Sequence, residues 1–441
     1  MLAGMAALSV AACSAPRNAD VVVVGAGAAG IGAALRLAEL GLTCVVLEAA
    51  GRIGGRAYTD TATFGVPFDI GCAWIHAADR NPFFRYAKDY HYRLRPHDLD
   101  LTRLYYGPHL QGAAELGQEH GAEETIHERV TELASHEDVA TSEAVPRWTK
   151  PFDAAATYMG PMDMGVDLND LATVDYNDSA DLNPNYLVYE GFGTLVKKVG
   201  AAVPVRLRTP VRTIRHGQGR SVRVETHAGT IEAKAVIVTV STGVLAAGAI
   251  RFDPALPEWK EAAIGEVPMG LLAKIPLLIR GDRFGIAPFQ NILVETPGLQ
   301  DIYFLSWPFD TNLMVGFVGG LFGWQLSAAG EDAAIDFAKE RLGQAFGSGA
   351  PKKVVRGLFT NWAGNPLTRG AYAAALPGHS VAREPLGLPL SGRVFFAGEA
   401  LAGPLIQTCG GAFLSGRETA QYAADTLAGR KTKAMLWQKT P

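Results

Sequence analysis

The chain has 441 residues, 48% of them hydrophobic, and a net charge of −4. That length can bury a large core and makes two domains the starting expectation, while the lack of any basic run excludes nucleic acid as a partner class. The cysteines (Cys13, Cys44, Cys72, Cys409) show no C-x-x-C or zinc spacing, so neither a disulfide framework nor a metal site is expected. Seven of the ten histidines lie between His76 and His136, but no H-x-H or H-x-x-x-H pair supports a metal, and solvated surface positions suit them.

Leu2 to Ala12 is apolar, small and too short to span a bilayer. Val10-Ala11-Ala12-Cys13 resembles a bacterial lipoprotein cleavage box, in which Cys13 would carry the lipid. No positive charge precedes Arg17, as a signal peptide requires. Either a basic lead is missing or the stretch is a fortuitous apolar run. The stretch favours export or a lipoprotein over the cytoplasm.

Val21 to Val24 reads as a parallel strand buried on both faces. Gly25, Gly27 and Gly30 follow as G-x-G-x-x-G with Ala28 inside it. This is a tight turn, a close approach for a pyrophosphate and a close helix–strand packing point. Ile31 to Leu40 is a helix stopped by Gly41, with its N-terminal amides facing the phosphates. Leu42 to Leu47 is the second strand, and Glu48, beside Ala49, is placed to accept two ribose hydroxyls. Arg52 and Arg56, set among Gly51, Gly54 and Gly55, can reach a diphosphate.

Phe64 to Trp74 suggests a short strand pair and a glycine turn. Ile75 to about Ala140 is polar, with helical spacing over Glu123 to Leu133, and Asp163 to Asp181 reads as an acidic loop. Thr194 to Ala202 is helical, Val203 to Leu207 a strand, and Val211 to Ile214 with Ser221 to Thr226 a hairpin. Ala235 to Val240 is a buried strand. Leu271 to Ile279, Ile302 to Trp307 and Met314 to Val318 are strands, with an amphipathic helix over Glu331 to Phe346. A strand from Arg393 ends in Gly398-Glu399, and Gly411 to Leu427 is a long helix.

The strand-end acid followed by G-R-x-G-G-R resembles the flavin-dependent amine oxidase superfamily, which holds monoamine and polyamine oxidases and histone-lysine demethylases. Separated motifs extend the resemblance over nearly the whole chain, closest to polyamine oxidases. They are Pro210-Val211, I-R-F-x-P-x-L-P from Ile250, P-M-G-x-x-x-K from Pro268 to Lys274, N-W-A-G-N-P-L-T-R-G-A-Y from Asn361 to Tyr372, Gly398-Glu399, and T-C-G-G-A from Thr408 to Ala412. The resemblance implies an α/β fold with a discontinuous, Rossmann-like FAD-binding domain (18–75, 190–265, 385–430). A mixed-sheet α+β substrate domain would occupy 76–189 and 266–384, with 1–17 as a lead and 431–441 as a tail.

It also implies roles. The backbone of Val211 would hold adenine, and Glu399 would take a ribityl or phosphate-side hydrogen bond. Amides near Gly411 and Ala412 would face the flavin or diphosphate. Lys274 would hold a water against flavin N5. Trp362 and Tyr372 would line the pocket, with Tyr372 as one wall of an aromatic cage, and Thr408 would stand where monoamine oxidases place the second cage tyrosine. Trp74-Ile75-His76 with Asn81-Pro82 resembles the polyamine-oxidase segment whose histidine lines the tunnel, with Ala77 in place of the usual glycine. Ala371 replaces the flavin-bonding cysteine of monoamine oxidases, so FAD would be non-covalent.

The implied reaction is hydride transfer from the α-carbon of a primary or secondary amine to flavin N5. It gives an imine, then an aldehyde, and hydrogen peroxide with oxygen as acceptor. The acids of Glu115 to Asp138 and Asp163 to Asp181 favour a polyamine. The alternatives are an L-amino-acid oxidase clamping a carboxylate with Arg283 or Arg369, an FAD-dependent desaturase, or a non-catalytic FAD scaffold.

Overall fold

The structure is a computed structural model that describes residues 18–179, 182–217, 219–296, 300–431, 435 and 437. Cys13 and the apolar lead lie outside these residues. No helix among the described residues is long and apolar enough to cross a membrane.

The valine-rich start builds the first sheet. β1 (Asn18–Val24) has Val21, Val22 and Val23 fully buried, and it runs parallel to β2 (Cys44–Leu47) and to the strand Gly229–Val238. The strand Gly229–Val238 serves two neighbours. Its first half pairs antiparallel with Val222–Thr226, and Val236–Val238 pairs parallel with Val394–Phe396. Three parallel strands therefore end side by side, at Gly25, Thr239 and Gly398, and open a crevice beyond their carboxyl ends.

One face of this sheet is covered by α1 (Ala28–Glu39) and the helix Cys409–Leu427. Their small residues let the backbones touch. A Cβ on Gly32 would come within 2.2 Å of the Phe413 carbonyl oxygen, and one on Gly416 within 1.9 Å of the Ala29 carbonyl oxygen.

The second sheet has seven strands, in the order Val354–Gly357, Leu272–Ile279, Leu313–Gly319, Ile302–Ser306, Asn291–Glu295, Arg103–Tyr106 and His109–Leu110. Strand alternation divides its work. Ala273, Ile275 and Leu277 face the core shared with the helix Glu331–Phe346. Lys274, Phe317 and Tyr303 lie in register across neighbouring strands, so they form a row on the other face.

Two sequence expectations change. The helix spans Ala113–Ala134, not only its periodic second half, because Glu115 turns back to accept the Gly112 N–H at 3.1 Å and starts it early. The acidic stretch is not a loop: it opens on the last two residues of a π-helical turn (Tyr158–Met164) and carries the helix Thr173–Asp178. Tertiary partners override weak local propensity there. Buried Asp175 takes both Nε and Nη2 of buried Arg383 at 2.6 Å and the Ala375 N–H at 2.8 Å.

This fork tests how firmly the segment is held. Arg383→Met should cost about 3–5 kcal/mol in urea unfolding, because it strands a buried carboxylate. Asp175→Leu combined with Arg383→Met should recover part of that loss.

Candidate active site

The crevice at the strand ends has the shape of a dinucleotide cradle. Gly25 has φ +103°, and a Cβ there would sit 2.7 Å from Thr239 Oγ1. A Cβ on Gly30 would sit 1.9 Å from the Gly25 carbonyl oxygen, so α1 packs tightly under the turn. Gly27 caps α1 without a side chain, and the only atom near its missing Cβ is the Gly55 Cα at 3.9 Å. Gly54, at φ +100°, donates its N–H to the Ala26 carbonyl at 2.8 Å. Buried Glu48 accepts the Ala26 and Ala50 N–H groups at 2.7 Å each, with half-buried Ala49 between. An open glycine surface over a helix N-terminus, with an acid at the next strand end, fits the adenosine diphosphate half of FAD.

The two arginines part company. Arg52 lies over the Tyr58 ring at 4.2 Å. Arg56 Nη1 donates to the Ala371 carbonyl and to Glu399 Oε1, the latter at 3.1 Å. Glu399, buried after Gly398 (φ +155°), also accepts the Ala373 N–H at 3.2 Å. Arg56 and Glu399 thus tie the cradle to the strand bearing Tyr372. Val211 is buried at the start of the strand Val211–Arg215.

At the helix Cys409–Leu427, Thr408 Oγ1 accepts the Gly411 N–H at 2.9 Å and donates to the Leu405 carbonyl at 2.8 Å. The Ala412 N–H goes to the Thr408 carbonyl at 3.0 Å. The Gly411 and Ala412 amides are therefore taken by Thr408, and the helix opens with the N–H groups of Cys409 and Gly410. Thr408 itself is a buried N-cap. Its neighbour Gln407 (φ +64°) reaches instead towards the Tyr372 strand, donating to the Met164 and Ala373 carbonyls at 3.3 and 3.2 Å.

The second sheet brings Lys274 to the loop that follows the cradle. Its buried ammonium donates to the Asp69 carbonyl at 2.8 Å and to the Gly71 carbonyl, and burial lowers its pKa to about 8. Gly71 is clamped, since a Cβ there would lie 1.6 Å from the Arg56 carbonyl oxygen and 3.2 Å from Trp362 Cζ2. The Asp69 carboxylate accepts the Phe192 and Gly193 N–H groups at 2.8 and 3.0 Å and so caps the helix Phe192–Val199. Trp362 packs in one cluster with Leu271, Ala371 and Tyr372. The Tyr372 hydroxyl donates to the Asp163 carbonyl at 3.0 Å.

Trp74 joins His76 to this group, stacking on His76 at 6.2 Å and lying 5.8 Å from Phe317 and 5.9 Å from Lys274 Nζ. His76 Nδ1 meets Asn185 Oδ1 at 2.7 Å, which puts the proton on Nδ1 and leaves Nε2 as an acceptor. Burial lowers its pKa, against the opposing effect of the Asn185 hydrogen bond. Ala77 takes φ +47°, the left-handed conformation that the usual glycine would supply without strain.

Sequence reasoning brought Lys274, Trp362, Tyr372 and Arg56 to one place and missed Asp69, Gly71, Gln407 and Asp163. The lone acid in the apolar stretch Phe64 to Trp74 was a usable signal for Asp69. Arg283 is tied to Asp310 and the Thr311 carbonyl, and Arg369 is exposed, so neither joins the group.

Comparison with known proteins agrees with this geometry. Residues 118–424 match the family of flavin containing amine oxidoreductases, and residues 23–90 match NAD(P)-binding Rossmann-like domains. The chain is 29% identical over 439 residues to probable polyamine oxidase 4 of Arabidopsis thaliana, covering 91% of this chain and 86% of that one. It is 25% identical to human lysine-specific histone demethylase 2, covering 92% of this chain and 54% of that one. Wild-type putrescine oxidase superposes with a TM-score of 0.76 at 18% identity, over 93% of this chain and 99% of that one, a likeness of fold.

Glu48→Ala should weaken FAD retention about tenfold to a hundredfold, the worth of a charge-assisted hydrogen bond (~1.5–3 kcal/mol). Flavin absorbance per protein after dialysis checks this. The chain belongs to the flavin containing amine oxidoreductase family, and it is an FAD-dependent enzyme that oxidises amines.

Proposed function

We propose that the amine is a polyamine. The observation that carries this reading is a track of unpaired carboxylates leading away from Tyr372. Asp163, whose carbonyl holds the Tyr372 hydroxyl, is exposed by area, yet surrounding protein raises its carboxyl to about 6. Glu123 is raised to about 7 by burial and by Asp163 and Asp100, and Glu119 to about 8 by burial and by Glu123 and Asp100.

Glu119 and Glu123 are four residues apart on one helix, hence on one face. Both Glu119 oxygens are buried without a hydrogen-bond partner, the nearest cationic candidate being His120 Nε2 at 3.6 Å. Among the described residues, no Lys or Arg pairs with Glu119, Glu123 or Asp163. Like charges at low dielectric raise one another's cost, and a chain with several ammonium groups relieves all of them where a monoamine relieves one. The polyamine oxidases among the relatives support the same reading.

Residues 18–75, 190–265 and 385–430 would hold FAD non-covalently, with Gly25, Gly27, Ala28 and Gly30 at the diphosphate and Glu48 at the ribose. Residues 76–189 and 266–384 would shape the amine side. Bound FAD supplies the acceptor for the hydride of the α-carbon. The chain's own residues bring a free-base amine to that carbon's reacting position. The Trp362–Tyr372 wall excludes water and disfavours the ammonium of the reacting nitrogen. The acids keep the distal nitrogens protonated and fix the register. His76 Nε2 offers an acceptor to an N–H, and Lys274 keeps one donor for a water, since two backbone carbonyls take the others. Hydrolysis of the imine gives the aldehyde, and dioxygen leaves as hydrogen peroxide.

Asp163→Asn should raise KM for spermidine about tenfold or more, the loss of one charge-assisted contact, and leave KM for hexylamine unchanged. The raised carboxyls fix the sign of the pH effect. They take up protons as pH falls from about 8 through about 6, so polyamine affinity should fall over that window. Steady-state kinetics on both amines from pH 8.5 to 5.5 check this. A spermidine KM indifferent to both changes would remove the acids from recognition.

A further inference from the structure

Two cysteines from distant parts of the chain meet beside the cradle. Cys72 follows Gly71 in the loop whose carbonyls hold Lys274, and Cys409 opens the helix Cys409–Leu427 behind its cap Thr408. Both are free and half-buried, and both pack on the core cluster that contains Phe83 and Phe413. The segment after Cys72 and the helix start touch directly. A Cβ on Gly410 would lie 2.5 Å from the Asn81 side-chain amide, and that amide donates to the His76 carbonyl at 2.9 Å. In this junction Cys72 is the side-chain hydrogen-bond partner of Cys409.

The surroundings give the two sulfurs different parts. The hydrogen bond with Cys72, and then burial, raises the Cys409 thiol well above its ordinary pKa, so Cys409 keeps its proton and donates it to Cys72. Two cations border the pair. Arg56 opposes the rise at Cys409, and Lys274, lowered by burial, is partly restored by Asp69 and by Cys72. Because Cys409 holds its proton, Cys72 is the sulfur placed to attack, the thiolate being the reactive form. Cys44, on β2, lacks such a setting, and burial alone pushes its thiol up to about 11.

We propose that Cys72 and Cys409 are a redox-active dithiol that hydrogen peroxide closes to a disulfide, fastening the Lys274 loop to the helix at the cradle. The Cys72 sulfur attacks one peroxide oxygen, the O–O bond breaks, and the departing hydroxide takes the Cys72 proton and becomes water. The Cys409 sulfur then attacks the sulfenic acid formed on Cys72. The S–S bond forms as the S–O bond breaks, and the Cys409 proton leaves in a second water. The two thiols lose two electrons and two protons, and the peroxide that takes them becomes two waters. That the peroxide comes from the enzyme's own turnover rests on the reading of dioxygen as acceptor, whereas the thiol chemistry does not.

Closure replaces a hydrogen-bonded contact with a bond of about 2.05 Å. The pull falls on a loop without slack, since the neighbouring Gly71 is clamped by Arg56 and Trp362 and gives its carbonyl to Lys274. Misplacing reacting groups by about 1 Å can cost roughly a hundredfold in rate. The oxidised pair therefore slows reduction of the flavin by the amine, and a build-up of peroxide restrains the enzyme that makes it.

Titrating the FAD-loaded enzyme with hydrogen peroxide, followed by alkylation and peptide mass mapping, tests this. A Cys72–Cys409 disulfide should form and be reversed by dithiothreitol, while Cys44 stays free. Anaerobic reduction by spermidine should slow at least about tenfold on oxidation and recover with dithiothreitol. Cys409→Ala should stop at the sulfenic acid on Cys72, read as a dimedone adduct. Cys72→Ser should give neither product, and its reduction rate should be the same before and after peroxide. Either variant suffices if the other fails to fold. Peroxide that leaves both thiols free overturns the proposal, as does a disulfide that leaves the reduction rate unchanged or a dimedone adduct on Cys409 in Cys72→Ser. Failure of spermidine to reduce the untreated enzyme would count against the polyamine reading alone, because the disulfide map needs no amine and benzylamine then serves for the rate.

Discussion

A buried lysine ammonium held by two backbone carbonyls organises this molecule. Lys274 comes from the second sheet, and the Asp69 and Gly71 carbonyls that receive it come from the loop that leaves the nucleotide cradle. Burying a cation without a carboxylate partner is expensive, and burial lowers the pKa to about 8 in consequence. The folded-state pKa lies below the unfolded one, so the cost is complete below about pH 8 and fades as pH rises towards the unfolded value. The fold accepts it because the same loop is fixed from every side. The Asp69 carboxylate caps a helix, Gly71 sits against Arg56 and Trp362, and Trp74 stacks on His76.

The same loop meets a different surface on each side. On one side Trp362 and Tyr372 make an aromatic wall whose tyrosine hydroxyl is pinned by the π-helical turn carrying Asp163. Such turns interrupt a regular helix and recur at functional sites. From Asp163 the carboxylates continue along one helix face. On the other side Lys274 borders a cleft shared with Trp74 and Phe317.

Legibility in the sequence followed the range of the interactions concerned. β1, the glycine turn and Glu48 were readable because each duty is local: a buried strand, a turn with positive φ and an acid at a fixed distance. Lys274 was readable because a lysine among Leu271 to Ile279 is anomalous in any strand. The partners of these residues were not readable. Nothing local says that Asp69 gives its carbonyl to one element and its carboxylate to another, or that Gly71 lies under Trp362, some 290 positions on by the sequence numbering. The acidic stretch misled for the same reason, since Asp175 owes its helix to Arg383, far along the chain. Thr408 shows a subtler limit. Position suggested a pocket wall, and the hydroxyl is committed to starting a helix.

What reduces the bound flavin decides the substrate class. Anaerobic stopped-flow mixing of the yellow protein with spermidine, hexylamine and an L-amino acid measures it directly. Rapid, saturable bleaching by spermidine at much lower concentration than by hexylamine, and none by the amino acid, is the predicted result. Firmly bound FAD that spermidine fails to bleach, or that an L-amino acid bleaches faster, would contradict it.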